Sequence, residues 1–494
     1  MSALEHLLDH LRGIGALASA AGILGWDREV MMPRAGAARR AEELGALEDV
    51  LHARRAGAEL GDLIAEAEAE APEDADATAR AQIRLARRMH IRARALPAGL
   101  SARIARLTSQ AQGIWAEARA ADDPAPFLPV LGEIVTLKRE EASALAAALD
   151  RAPYDALLDD FEPEARADDI AALFEGLRGP LSALLADAGA RPAPPLSGHF
   201  PPKAQRALAR ELAGRFGYDL SRGRLDISTH PFTSGGGADV RLTTRIDEAD
   251  PLNCLYSTLH EAGHGAYEQH VDPALALTPA GTGASMGVHE SQSRLFENQL
   301  GRAPAFTRWL HARMVEAFGT SGAADADAFT RAVNRVGAGF IRTEADEISY
   351  NLHIFLRFDL ERALIGGDLA ADDLEEAWNA RMAQDFGLSV PRPALGFLQD
   401  IHWSVGLFGY FPTYALGNVY AGCLHAALRA QIPDLDDHLA GGDPSPATAW
   451  LAERVQRHGA TRQPRALIEE AAGAPVGPAP LLDYLEAKFA GADG

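Results

Sequence analysis

His260 and His264 stand four positions apart, with Glu261 beside the first, in His260-Glu261-Ala262-Gly263-His264. The run Leu252-Asn253-Cys254-Leu255-Tyr256-Ser257-Thr258-Leu259 leads into it and is compatible with a helix. Residues four apart on a helix share a face about one turn along, so the segment offers both imidazoles to one cation only if it is helical. That requirement constrains the chain more than any other single feature. The pattern is the HExxH of zinc hydrolases, in which two histidines hold the metal and the glutamate takes a proton from the attacking water. The plainer alternative is a buried helix with two histidines on one face, and a third ligand is needed to separate the two.

Glu290 is the candidate for that ligand. It lies in His289-Glu290-Ser291-Gln292-Ser293-Arg294, opening a segment that reads as a further helix through Leu295, Phe296 and Leu300. Two histidines and a glutamate form one of the common catalytic zinc sets. Taken alone, Glu290 would be a solvated helix-face carboxylate and His289 a surface histidine.

A formal net charge of -22 over 494 residues argues against nucleic acid or an anionic membrane surface as a partner, since both would repel it. The length is ample for a large core and suggests two lobes. Cys254 and Cys423 lie far apart and outside any ligand-like spacing, so no disulfide framework is implied. They read as small buried apolar residues in a reducing compartment. The run from Gly13 to Gly22 could pass for a signal-peptide core, but Glu5, His6, Asp9 and His10 precede it and apolar residues recur at helical spacing. An amphipathic first helix, no apolar run of about 18 residues and a cytoplasmic location are expected.

Residues 35–150 are rich in Ala, Leu, Glu and Arg, which favours long helices, and no fixed repeat period emerges. Breaks are expected near Ala71-Pro72-Glu73-Asp74, Leu96-Pro97-Ala98-Gly99 and Asp122-Asp123-Pro124. The Pro-rich stretch from Arg191 to Leu196 separates a mainly helical part with lid-like helices, 1–195, from a part carrying the chemistry, 196–494, within one domain over 1–494. A helix over 203–217 precedes the only β-like region, with strands expected at 223–228, 230–233 and 239–246. They predict a small antiparallel or mixed sheet beside the HExxH helix. Gly235-Gly236-Gly237 reads as a hairpin or substrate-side loop, since no phosphate-loop signature accompanies it. Helical composition returns over 303–318, 325–336, 340–365 and 370–386, and 387–420 reads as functional loops.

Several motifs occur together and in one order: His230-Pro231-Phe232, Asp239-Val240-Arg241-Leu242-Thr243, the HExxH segment, His289 to Arg294, Ile341-Arg342-Thr343-Glu344-Ala345-Asp346, and Gly396-Phe397-Leu398-Gln399-Asp400-Ile401-His402-Trp403. Trp26-Asp27-Arg28-Glu29 and Met31-Met32-Pro33 add an N-terminal pattern. Through these the chain resembles the carboxypeptidase Taq family of metallocarboxypeptidases over nearly its whole length. The resemblance implies a mainly α, two-lobed fold with a long central groove and a small sheet at its wall. It also implies a homodimer, Zn2+ or sometimes Co2+ as cofactor, and release of single residues from peptide C termini with broad side-chain tolerance. Arg342 would meet the substrate's C terminus.

On these terms the metal is expected on His260, His264 and Glu290, with Glu261 as the base. A tetrahedral oxyanion needs further donors, for which His402 and Tyr414 are the candidates, with Tyr410 and His230 behind them in substrate-binding roles. Recognition of a free carboxylate suits a guanidinium, so substrate contact is favoured for Arg342 over its alternative, an internal ion pair, for example with Asp346. Arg241 and Arg294 read as structural, pairing with Asp239 or another nearby acid, and Asp346, Gln399 and Asp400 as groups that orient histidines or arginines. Three functions stay open: a carboxypeptidase, an oligopeptidase cutting internally, and a metal-dependent peptide-binding scaffold. The last has no use for a base beside the metal.

Overall fold

The first helix, Ala3–Val30, begins at a capping box in which Ser2 and Glu5 each accept the other's backbone N–H. Leu7, Leu11 and Ile14 follow at helical spacing and bury against Leu51, Leu60 and Ile64 of the next two helices, Ala37–Ala56 and Ala58–Glu70. The amphipathic face is therefore as expected. One expectation is overturned, because this helix is long and apolar enough by length and composition to cross a membrane. Interspersed Ala, Gly and Ile carry that composition without an unbroken aliphatic run.

The computed structural model describes residues 2–71, 76–97, 99–189 and 193–490. Asp122, in the left-handed region, ends the helix Leu100–Ala121 before Leu128–Leu149 begins, which is the break expected there. The other two expected breaks and the Pro-rich stretch include residues 72–74, 98, 191 and 192, which lie outside the described residues. Two compact units separate: residues 1–93, 193–334 and 420–476 form one, and 94–192, 335–419 and 477–494 the other. The division is interleaved rather than a single step near 195, because helices distant in sequence pack within one unit.

In the first unit, β1 (Gly223–Ile227), β2 (Thr233–Gly236) and β3 (Asp239–Thr244) form a mixed sheet in the order β1-β3-β2. β1 runs parallel to β3 with Gly223 opposite Val240, and β2 antiparallel with Thr233 opposite Leu242. His230-Pro231-Phe232, expected in a strand, instead forms the approach to β2, while two of the three glycines lie in the strand itself. Gly235 has φ +90, and a Cβ there would come within 2.1 Å of Asp239 O, so only glycine suits this hairpin. The HExxH helix, Pro251–His270, packs on this sheet through Gly265, whose missing side chain leaves room for Leu242 and Tyr218.

Helices at Pro202–Arg215, Pro304–Phe318, Ala326–Val333 and Leu374–Phe386 match the helical composition. The one expected over 340–365 begins only at Ser349. Asp346 accepts from the N–H groups of Ile348 and Ser349 and from the Ser349 hydroxyl, tying down that start. It therefore secures a helix and, among the described residues, orients no histidine or arginine. Arg342 sits ahead of it on a short turn, Arg342–Glu344. The 387–420 stretch is loop and short turns up to Tyr410, and a helix, Phe411–Gln431, from there.

Candidate active site

His260 and His264 face the same way from adjacent turns, ring centroids 5.0 Å apart. Their Nε2 atoms lie 3.6 and 3.4 Å from Glu290 Oε2, and the three ligand atoms all lie within 4.8 Å of one another. Atoms held at about 2.1 Å by a tetrahedral cation stand about 3.4 Å apart, so this spacing fits a metal and is wider than the usual hydrogen bond of about 2.9 Å. Glu290 reaches the site from the helix Met286–Arg294, capped by Ser285. That helix crosses so close that a Cβ on Gly263 would lie 2.5 Å from both Gln292 O and Ser293 Cα.

Charge around the triad favours metal binding. Burial pushes the Glu290 carboxyl up, but Arg294 and the two histidines outweigh it and hold the group ionised, far below the usual carboxylate range. Arg294 Nε donates to Glu290 Oε1 at 2.7 Å and the Ser293 hydroxyl to Oε2 at 3.1 Å, so Arg294 is structural, as expected, and steadies the candidate third ligand. Burial pulls His264 down to about 4, leaving a neutral ring with a lone pair to give. Burial would also depress His260, yet Glu290 and Glu297 raise it. Glu261 is raised by its burial, against the pull of His260 and Thr233. The Thr233 hydroxyl donates to Glu261 Oε2 at 2.6 Å and so points that carboxylate from the first residue of β2.

The second unit holds most of the other expected residues. Arg342, 7% exposed, donates from Nε and Nη2 to Asp400 Oδ1 at 3.0 and 2.8 Å and from Nη1 to the Tyr350 hydroxyl at 3.2 Å. Its ion pair is thus with Asp400 and not Asp346, whose position after a turn rather than in a helix takes it out of register. Among the described residues these bonds use three of the five guanidinium N–H groups, leaving one on Nη1 and one on Nη2. Asp400 also accepts from Arg357 through Oδ2 at 2.7 Å, and Gln399 Oε1 accepts the Arg342 N–H, so both hold Arg342 as expected. His402, pulled down to about 4 by burial, is neutral, with Nε2 3.3 Å from the Tyr414 hydroxyl. Tyr410 packs edge-on against Tyr414 at 5.2 Å, and its ring lies 5.9 Å from that of His402. His230 belongs to the first unit, where its side chain is exposed and its carbonyl accepts from Ser228. Arg241 pairs with Asp239 at 2.8 Å, as expected.

The family model for the carboxypeptidase Taq (M32) metallopeptidases matches residues 6–489. The chain belongs to that family. It is 40% identical to thermostable carboxypeptidase 1 of Thermus thermophilus, with 99% of this chain and 98% of that one covered. Among solved structures it resembles metallocarboxypeptidase 1 of Trypanosoma cruzi, with a TM-score of 0.96, 33% identity and 99% of each chain covered. The M32 carboxypeptidase of Deinococcus radiodurans gives 0.93 at 37% identity, with 99% and 98% covered.

Some side chains around the site of this M32 family member carry no sequence signal of their own. Glu297 accepts from His260 Nδ1 at 2.9 Å and is flanked by Arg294 and Arg302. It follows Glu290 by seven residues, a spacing that would have marked it on a regular helix, but the α-helix gives way to a π turn over Leu295–Leu300 that sets its direction. His289 is not the surface residue that its position in isolation suggests, since its Nδ1 lies 2.8 Å from His264 Nδ1. Thr233 could be found only from the packing of β2 on the HExxH helix.

Glu361 anchors the turn that carries His402 and Tyr410. Its carboxylate, fully buried, accepts from Trp403 Nε1, the Gly409 N–H and the Tyr154 hydroxyl at 2.8, 3.0 and 2.8 Å. Burial raises it from 4.5 to about 7 despite these donors. The folded state therefore binds this proton more tightly than the unfolded chain does. The contribution to stability is complete below about pH 4.5 and is lost as pH rises through about 7, by at most about 1.4 kcal/mol per pH unit. Glu361→Gln should remove that slope, as read from denaturant unfolding at pH 5 and pH 7.5 with chelator present. Equal slopes in both proteins would show that Glu361 does not titrate there.

Proposed function

We propose that this protein is a zinc carboxypeptidase that releases single residues from the free C termini of peptides and tolerates many side chains at the cleaved position. Cobalt can take the place of zinc in it, and it works as a cytoplasmic homodimer. The observation that carries this reading is the convergence of His260, His264 and Glu290 with Glu261 next to them, in a member of a metallopeptidase family. Buried Cys254 and Cys423 suit a reducing compartment. Dimerisation and broad tolerance rest on the family resemblance.

When bound, the cation supplies Lewis acidity toward the peptide carbonyl and makes water more acidic. Glu261, oriented by Thr233, accepts a proton from the attacking water and passes it to the leaving amine. The Tyr414 hydroxyl and the neutral His402 ring are donors for the oxyanion. Arg342 keeps two N–H groups for the substrate carboxylate while Asp400 holds the guanidinium in place. Tyr410 and His230 contribute to substrate binding.

A free-acid peptide and its C-terminally amidated twin, incubated with zinc-loaded protein and followed by mass spectrometry, test this reading. A ladder shortened from the C terminus is expected from the free acid alone. Comparable fragments from the amidated peptide would replace the carboxypeptidase with an internal cutter. Arg342→Lys keeps the charge opposite Asp400 but loses the fork, and should cost about 100-fold in kcat/KM, mostly through KM. An unchanged KM would move carboxylate recognition to another residue.

A further inference from the structure

We infer that His289 and Glu268 are positioning residues for the metal ligand His264, acting as a two-step hydrogen-bond relay. The inference rests on the metal site proposed above. His264 turns Nε2 toward Glu290, so a neutral ring binding a cation there must carry its proton on Nδ1. That N–H has His289 Nδ1 at 2.8 Å, which must then accept. The single proton of a neutral His289 consequently sits on Nε2, which is 2.8 Å from Glu268 Oε1. The same oxygen accepts from the Thr282 hydroxyl and the Gly283 N–H, each at 3.1 Å. Every donor in the chain faces an acceptor, so only one pair of tautomers satisfies it.

The packing holds this arrangement. Side-chain exposure is 15% for His289 and 8% for Glu268. A Cβ on Gly283 would lie 2.6 Å from the His289 ring, so glycine there leaves room for it. The two metal histidines are thus oriented differently: His260 donates directly to a carboxylate, that of Glu297, whereas His264 reaches one only through a second imidazole. An imidazole that accepts from one ligand and donates to a carboxylate passes on part of that carboxylate's charge, which strengthens the ligand toward a cation.

Zinc affinity of the full chain, measured by competition with a chromophoric chelator, tests the relay. Glu268→Gln keeps an acceptor but loses the charge and should weaken zinc about 10-fold, and His289→Ala by as much as about 100-fold. His289→Asn, whose Oδ1 stands in for the lost Nδ1, should fall between them. In that background Glu268→Gln should add less than about twofold, since its route to His264 is already cut. Variants that all bind within about twofold of a zinc-binding wild type would overturn the relay. So would an equal effect of Glu268→Gln in both backgrounds. A wild type that takes up no zinc would overturn the metal-site reading and this inference with it.

Discussion

Replacing Glu261 with glutamine is expected to lower kcat about 10³- to 10⁴-fold while the protein still takes up its metal. The amide matches the carboxylate in shape and can still accept from the Thr233 hydroxyl, so the contact between β2 and the HExxH helix survives. It cannot take up a proton. Glu261 is also not one of the three residues whose ligand atoms converge, so metal content should be unchanged. The carboxyl is raised by burial, which brings its proton affinity closer to that needed for proton transfer near neutral pH. Steady-state kinetics and metal analysis on the same preparation check both halves. Retained turnover would remove Glu261 from the chemistry, and lost metal would make it a ligand.

Gly263→Ala should damage the same site by a different route. The added methyl would meet the backbone of Gln292 and Ser293 at 2.5 Å, and neither can rotate away as a side-chain tip could. The helix Met286–Arg294 must back off, taking Glu290 with it. Overpacking of this kind costs about 1–3 kcal/mol, and the third ligand leaves its place 3.4–3.6 Å from the two imidazoles. Zinc binding is expected to weaken by about 100-fold or more, with a lower unfolding temperature. Gly45→Ala, on the exposed side of the helix Ala37–Ala56 with no atom within 4 Å of the new methyl, is the control and should be neutral or slightly stabilising. Equal behaviour of the two variants would show that helix contact at Gly263 does not set the metal geometry.

The position of Gly263 inside the motif illustrates how much of the site was readable in advance. The spacing of His260 and His264 requires a helix, and Glu290 was recognisable as an acid in a second helical segment. Nothing in the spacing says that the two helices approach until their backbones touch. Arg342 shows the converse. A helix continuing through 340–365 would have offered it Asp346 as a partner, but the chain turns before Ser349 and the guanidinium meets Asp400 instead.

The sequence by itself determined the helical class and the small sheet and marked the candidate ligands and the acid beside them, because each follows from short-range periodicity or from residue types at fixed offsets. Only the tertiary structure decided which groups hold those residues in place: Thr233 on Glu261, Glu297 on His260, His289 and Glu268 behind His264, and Asp400 on Arg342. It also decided that the chain divides into two interleaved units. These pairings join residues up to 58 positions apart, and a hydrogen bond leaves no periodic trace in sequence because it depends on where two separate elements meet.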